Sequence, residues 1–187
     1  MADEKQAALA AWNELRKAYD QQEFDIAMAG LSGESRAEID RRHRLAREAT
    51  KDELKKADGF DQLMVLLMRD CHSPMLKYLH PLEPIVGTRR ECGAVVMPEV
   101  FSLRISDDRN LLQRNDKMIL YGGVTILHFR KEADGWKWDL VHDYFDRARL
   151  QFKAAFAASR KSQTDFIAAA FADIKQKPLS MQWDPPQ

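Results

Sequence analysis

The chain is predicted to adopt an α+β fold: N-terminal helices packed on a curved, cone-like antiparallel sheet, with an additional C-terminal helical pair. Three observations predict it. Helical periodicity fills the first eighty residues, strand-like runs the next sixty, and helices return over the last forty, a segregation that belongs to α+β rather than to alternating α/β chains. Residues 121–144, YGGVTILHFRKEADGWKWDLVHDY, read as two long strands joined by an Asp134-Gly135 turn. A length of 187 residues with 45% hydrophobic and 31% charged side chains suits a soluble chain with a sizeable core.

Ala8, Trp12, Leu15 and Tyr19 recur at helical spacing and give the first helix one apolar stripe. Residues 24–31 suit a short second helix. Ser35 and Glu38 have capping-box spacing ahead of a helix over 39–48, and Thr50 with Glu53 repeats the device before Leu54. Gly59 is placed as the breaker of that element. Phe60, Leu63, Met64, Leu67 and Met68 form the densest apolar stripe and are assigned to the core; Ser73-Pro74 then supplies a cap and first position for a short turn. Pro81 and Pro84 mark the entry to the sheet. Strands are expected over 85–92, 95–106, 117–129 and 136–144, with the polar segment 107–116 as a loop and Pro98 signalling an edge or bulge. Helices resume over 145–160 and 164–175, and the tail LSMQWDPPQ is expected to be irregular.

The turn type decides the register of the last hairpin. A two-residue Asp134-Gly135 turn sets Phe129 opposite Leu140 and Arg130 opposite Asp139, an apolar pair on one face and an opposite-charge pair on the other. A four-residue loop sets Arg130 against Lys137, so the first register is preferred. Thr125, Leu127, Phe129, Trp136, Trp138, Leu140, His142 and Tyr144 then share the core side, and Gly122-Gly123 bends or bulges its strand.

Composition excludes several function classes. Lys plus Arg (29) balances Asp plus Glu (29), so no global field favours nucleic acid or an anionic membrane. No run approaches the roughly 18 apolar residues of a membrane helix, and the charged N-terminus lacks a secretory apolar core, so the chain is expected to be cytoplasmic. Cys71 and Cys92 are too few to define a disulfide framework and are expected as free buried thiols. Cys71, His72, His80 and Cys92 offer metal-type donors, but their spacing matches no zinc module; no metal and no cofactor are expected. Arg36, Arg41, Arg42, His43, Arg44 and Arg47 smear their charge round one helix, which reads as a solvated face rather than a nucleic-acid patch.

The segment AWNELRKAYDQQEFDIAMAGLSGESRAEID, an opening helix, a short second helix and a Ser-rich helix start, together with the closing GWKWDLVHDY, resembles the nuclear transport factor 2-like (cystatin-like cone) superfamily, in particular its bacterial members of unknown function. The resemblance implies an α+β domain over 1–145, followed by a helical extension over 146–187 packed on the same domain. It also implies a cone with an internal pocket. The superfamily uses such pockets for catalysis on small apolar substrates, for ligand binding, for protein association or as bare scaffolds, so fold alone does not choose.

Pocket residues are expected to be Glu99, Tyr121, His142, Tyr144 and Trp138. The assumed register puts His142 on the core side, where an imidazole could act as acid or base, although a hydrogen-bonded core histidine is the commoner outcome. Glu99 shares the parity of Phe101 and Leu103 and could point inward, against the commoner case of a strand-end carboxylate in water. Phe152, Phe156, Phe166 and Phe171 exceed what a solvated appendage needs; an exposed stripe among them would mark a homodimer or protein-partner surface. The expected function is therefore a non-enzymatic binding module for a small apolar ligand or a protein partner. The alternative is a small-molecule isomerase or lyase of the ketosteroid isomerase-like type, using a pocket His and a carboxylate.

Overall fold

The computed structural model describes residues 2–87, 89–96, 98–103, 111–114, 117–122, 125–179 and 183–186. Its contacts divide the chain into two compact units, residues 1–38 with 98–146 and residues 39–97 with 147–187. The break at 146 lies next to the expected boundary, but residues 39–97 group with the C-terminal helices rather than with the sheet.

In the first unit, α1 (Ala2–Asp20) turns Ala8, Trp12, Leu15 and Ala18 inward, all at most 3% exposed. Trp12 packs edge-on against Trp138 (ring centroids 5.5 Å apart) and Phe129 (6.4 Å) and stacks on Phe101 (6.0 Å). Helix α2 (Phe24–Ala29) ends at Gly30, where a Cβ would stand 2.9 Å from Leu15 Cδ1. Only glycine allows this close approach of α2 to α1. Helix α3 (Gly33–Glu48) is capped three residues earlier than predicted: Ser32 Oγ accepts from Ser35 N (3.2 Å), while Ser35 Oγ accepts from Val141 N (3.2 Å).

The sheet is an antiparallel meander in the order β1 (Leu111–Arg114), β2 (Lys117–Gly122), β3 (Thr125–Glu132), β4 (Gly135–Trp138). All four strand expectations need correction, and so does the loop expected over 107–116, which carries β1; the strand expected over 136–144 ends at Trp138. The described residues of 85–92 and 95–103 hold no regular strand: Val86 and Val96 form a lone parallel bridge, and short 3-10 turns cover Arg90–Cys92 and Pro98–Ser102; residues 104–110 lie outside the described part. The single strand over 117–129 is a hairpin, with Gly122 paired to Thr125, and the expected bend at Gly123 lies outside the described residues. The last hairpin takes the other register: Arg130 pairs with Lys137, Phe129 with Trp138 and Glu132 with Gly135. The reversal is thus made at Ala133-Asp134, and Gly135 follows it at φ +124°, a conformation that glycine adopts without strain.

The second unit is built on α5 (Gly59–His72), capped by Asp58, which accepts from Asp61 N at 2.9 Å. Gly59 therefore begins this helix instead of merely ending α4 (Lys51–Leu54), whose Thr50/Glu53 capping box is formed as expected. Phe60, Leu63, Met64, Leu67 and Met68 are all buried. Against α5 lies α7 (Gln163–Lys175), with Ile167 and Phe171 fully buried and Lys175 2.8 Å from Asp70. In α6 (Asp146–Ser159) Phe152 and Phe156 pack on Phe166, while Leu150 is 67% exposed. Cys71 and Cys92 are not free thiols: they form a disulfide. Nor is the arginine-rich helix a wholly solvated face. Arg42 is fully buried 2.9 Å from Asp61 Oδ1, with its guanidinium over the Phe60 ring.

Burial also sets an acid response in this unit. His43 is 4% exposed and donates from Nε2 to Leu76 O (3.2 Å). Desolvation pushes it below its ordinary 6.5, opposed by the Leu76 carbonyl and Asp40 and reinforced by Arg47 and His80; burial lowers His72 in the same way. An unfolded chain takes up these protons near pH 6.5 and the fold refuses them until lower pH. Stability is therefore expected to fall as pH drops through about 6.5 and to level off below the native values. Urea unfolding at several pH values between neutral and acidic tests this, with a shallower slope in His43→Gln; a midpoint that ignores pH over that window would count against it.

Candidate functional site

Strand β4 ends at Trp138, whose free edge is bonded to the chain after α2: Trp138 N donates to Gly30 O (3.0 Å) and its carbonyl accepts from Ser32 N (2.9 Å). Asp139 then opens a helix. Its carboxylate accepts from His142 N (3.3 Å) and its carbonyl from Asp143 N (3.2 Å), so that Val141–Phe145 form one π-helical turn running into α6. Arg130 reaches the Asp139 carboxylate diagonally and also lies 3.0 Å from Glu34.

This turn brings His142 and Asp143 back onto β3 beside His128. Asp143 is 8% exposed and fully engaged: Oδ2 accepts from His128 N (2.9 Å) and from the Trp138 indole N–H (2.7 Å), while Oδ1 faces His128 Nδ1 in a hydrogen bond. Burial pushes the Asp143 carboxyl above the usual carboxylate range, and the donors from His128 and Trp138 oppose that rise. The His128 and His142 rings stand edge to face, 4.4 Å between centroids. Chemically the arrangement is a carboxylate-oriented imidazole with a second imidazole alongside.

Of the expected pocket residues, the structure gathers three here, in roles other than those expected. His142 is not on a strand facing the core; it is exposed on the π turn, because the chain leaves the sheet at Asp139. Trp138 is 1% exposed and belongs to the ring cluster of the core, with the half-buried Tyr144 edge-on to it at 5.9 Å. Glu99 is exposed on the 3-10 turn Pro98–Ser102, where no strand turns it inward. Tyr121 is placed by its backbone pairing with Ile126. His128 and Asp143 were missed because strict alternation puts them on the outer face. The available signal was Asp139 three residues before His142, a helix N-cap preceding LVHDYF.

A groove lies elsewhere in the first unit, between α1, α2 and the β3–β4 hairpin, with a volume of about 700 Å³. Ala7, Ala10, Ala11 and Leu15 of α1 and Ile26 of α2 supply its apolar surface. Its rim carries Glu4, paired with Lys131 and with the Trp136 indole N–H (2.8 Å), and Lys137, paired with Asp134 (3.0 Å) and Ala29 O (2.8 Å). The bonds from Lys131 and Trp136 hold the Glu4 carboxyl below its ordinary value. Among the described residues the lining includes no histidine and none of Glu99, His142, Tyr144 or Trp138. Comparison with family models, with curated proteins and with solved structures finds no match to this chain.

Proposed function

We propose that the sheet-bearing unit is a non-enzymatic binding module that takes a small apolar ligand in the groove between α1, α2 and the β3–β4 hairpin. The observation that carries this reading is the groove itself. Its volume, about 700 Å³, falls in the range of small-molecule sites, and the alanines that line it leave space where larger side chains would fill it. The rim argues for binding rather than turnover. A carboxylate held ionised by a lysine and an indole is a poor general base at neutral pH, and Lys137 is likewise committed to its partners. The isomerase or lyase alternative needs an enclosed His142, and His142 is exposed.

The nuclear transport factor 2-like resemblance belongs to the same proposal. Two N-terminal helices, the start of α3 and an antiparallel meander support it, and a curved, cone-like sheet is the form it expects. The interior that the superfamily leaves hollow would here be filled by Trp12, Phe101, Phe129 and Trp138, which moves the ligand to the groove. The Cys71–Cys92 disulfide favours an oxidising compartment over the cytoplasm expected from composition.

A filled groove tests the reading. Ala11→Trp places a large ring at a half-buried position of the groove lining and leaves the core untouched. Titration with 1-anilinonaphthalene-8-sulfonate should show saturable binding to the native protein, weakened at least tenfold by Ala11→Trp with unchanged near-UV circular dichroism. Equal binding by the two proteins would remove the groove from consideration.

A further inference from the structure

We propose that His128, His142 and Asp143 form a binding site for one divalent first-row transition cation, of which Zn2+ is the probe of choice. The donor atoms of the three side chains lie within 4.8 Å of one another. Two imidazoles and one carboxylate are a donor set that suits zinc, iron, cobalt or nickel, whereas calcium and magnesium prefer all-oxygen sites. The inference is independent of the groove, which shares none of these residues.

Two of the three ligands are already fixed. Asp143 is buried and held by the His128 backbone N–H and the Trp138 indole, so that its remaining oxygen is aimed at the His128 ring. His128 is anchored in β3, paired across to Ile119, with its side chain 27% exposed. The third ligand, His142, is on the solvent side of the π turn, its ring edge to face with that of His128. Ligand atoms around a tetrahedral zinc stand roughly 3.3 Å apart, so from a separation of at most 4.8 Å His142 has to close by at most about 1.5 Å, within reach of a side-chain rotation. The cation would take the place of the hydrogen bond between His128 and Asp143, and the solvent side at His142 leaves room for water to complete the coordination.

The ligands belong to one strand and to the turn that leaves the sheet, so binding would tie β3 to the π turn. Only the folded chain presents them together, and Zn2+ should therefore raise the thermal midpoint as well as bind. The decisive experiment is calorimetric titration of the full chain, free of any purification tag, with Zn2+. His142→Ala and His128→Gln are run in parallel, with circular dichroism to confirm that each variant is folded. One Zn2+ per chain is expected, with affinity reduced at least tenfold and the thermal shift lost in both variants; Co2+ in place of Zn2+ should give a visible absorption band that His142→Ala removes. Because His142 is exposed, its alanine variant keeps the test sound even if His128→Gln fails to fold. His43, His72 and His80 remain in every variant. Absence of stoichiometric Zn2+ uptake, or affinity in His142→Ala within tenfold of the parent, overturns the proposal.

Discussion

Trp138→Ala is expected to cost the sheet-bearing unit about 3–5 kcal/mol, the usual range for removing a fully buried tryptophan. The side chain is 1% exposed and lies among Trp12, Phe101 and Tyr144 at 5.5 to 5.9 Å between centroids, so its loss opens a cavity between α1 and the sheet. It also strips Asp143 of the indole N–H at 2.7 Å. The two effects separate in Trp138→Phe, which keeps most of the packing and loses only the donor. That variant should cost about 1–3 kcal/mol, the penalty of a buried acceptor left short of a partner. Urea unfolding of the three proteins measures both steps. A Trp138→Ala loss below about 1 kcal/mol would mean that the tryptophan lines a ligand space, as the sequence suggested, and does not hold the core.

That suggestion shows which information a sequence carries. Leu127, Phe129, Trp136 and Trp138 were assigned to the core side, and all four are buried, even though the hairpin register was wrong. Both are consistent: the true register differs from the expected one by two residues, and a strand's faces alternate with a period of two, so a slip of two exchanges partners and preserves faces. The Arg130–Asp139 attraction that favoured the wrong register is real, but it acts diagonally from a residue beyond the strand's end. Where alternation runs on without hydrogen-bonding partners it misleads. The residues from Ile85 to Leu103 were read as strands on the alternation around Phe101 and Leu103, yet among the described residues they contain only a single bridge, and with it went the inward-facing Glu99.

The candidate sites were less legible still, for a physical reason. The His128–Asp143 contact spans fifteen residues and depends on the chain leaving β4 at Asp139, whose carboxylate caps the turn at His142 N. Nothing in the spacing of His128, His142 and Asp143 announces that turn. The groove depends equally on tertiary placement, since alanines on an exposed helix face look like ordinary helix formers. The helices, by contrast, were readable because caps and stripes are local: Thr50 with Glu53, and the stripe from Phe60 to Met68, behave as their spacing predicts.

Arg69→Ala should be as damaging to the other unit as Trp138→Ala is to the sheet, and for an electrostatic reason. The side chain is 2% exposed, and burial pushes it down to about 10, so it remains a cation at neutral pH. Its guanidinium donates to four carbonyls: Nε to Ala46 (2.7 Å), Nη2 to Leu45 (3.0 Å) and Ala49 (2.6 Å), and Nη1 to Trp183 (2.6 Å). Three of these acceptors lie at the C-terminal end of α3, whose last carbonyls have no partners within the helix, and the negative end of the helix dipole favours a cation there. Leu45 O keeps the Ala49 N–H (3.1 Å), but alanine leaves the Ala46 and Ala49 oxygens buried without that donor, at about 1–3 kcal/mol for each; with the cavity left by the buried side chain the expected total is about 3–5 kcal/mol. At this chain length that lowers the thermal midpoint by roughly 10 °C. Arg69→Lys keeps the charge but replaces a planar fork of five donors with one ammonium that cannot serve acceptors on two segments at once, so it should recover less than half of the loss. Calorimetric melting of the three proteins decides the matter: full recovery by lysine would show that charge, not the geometry of the fork, is what closes the end of α3.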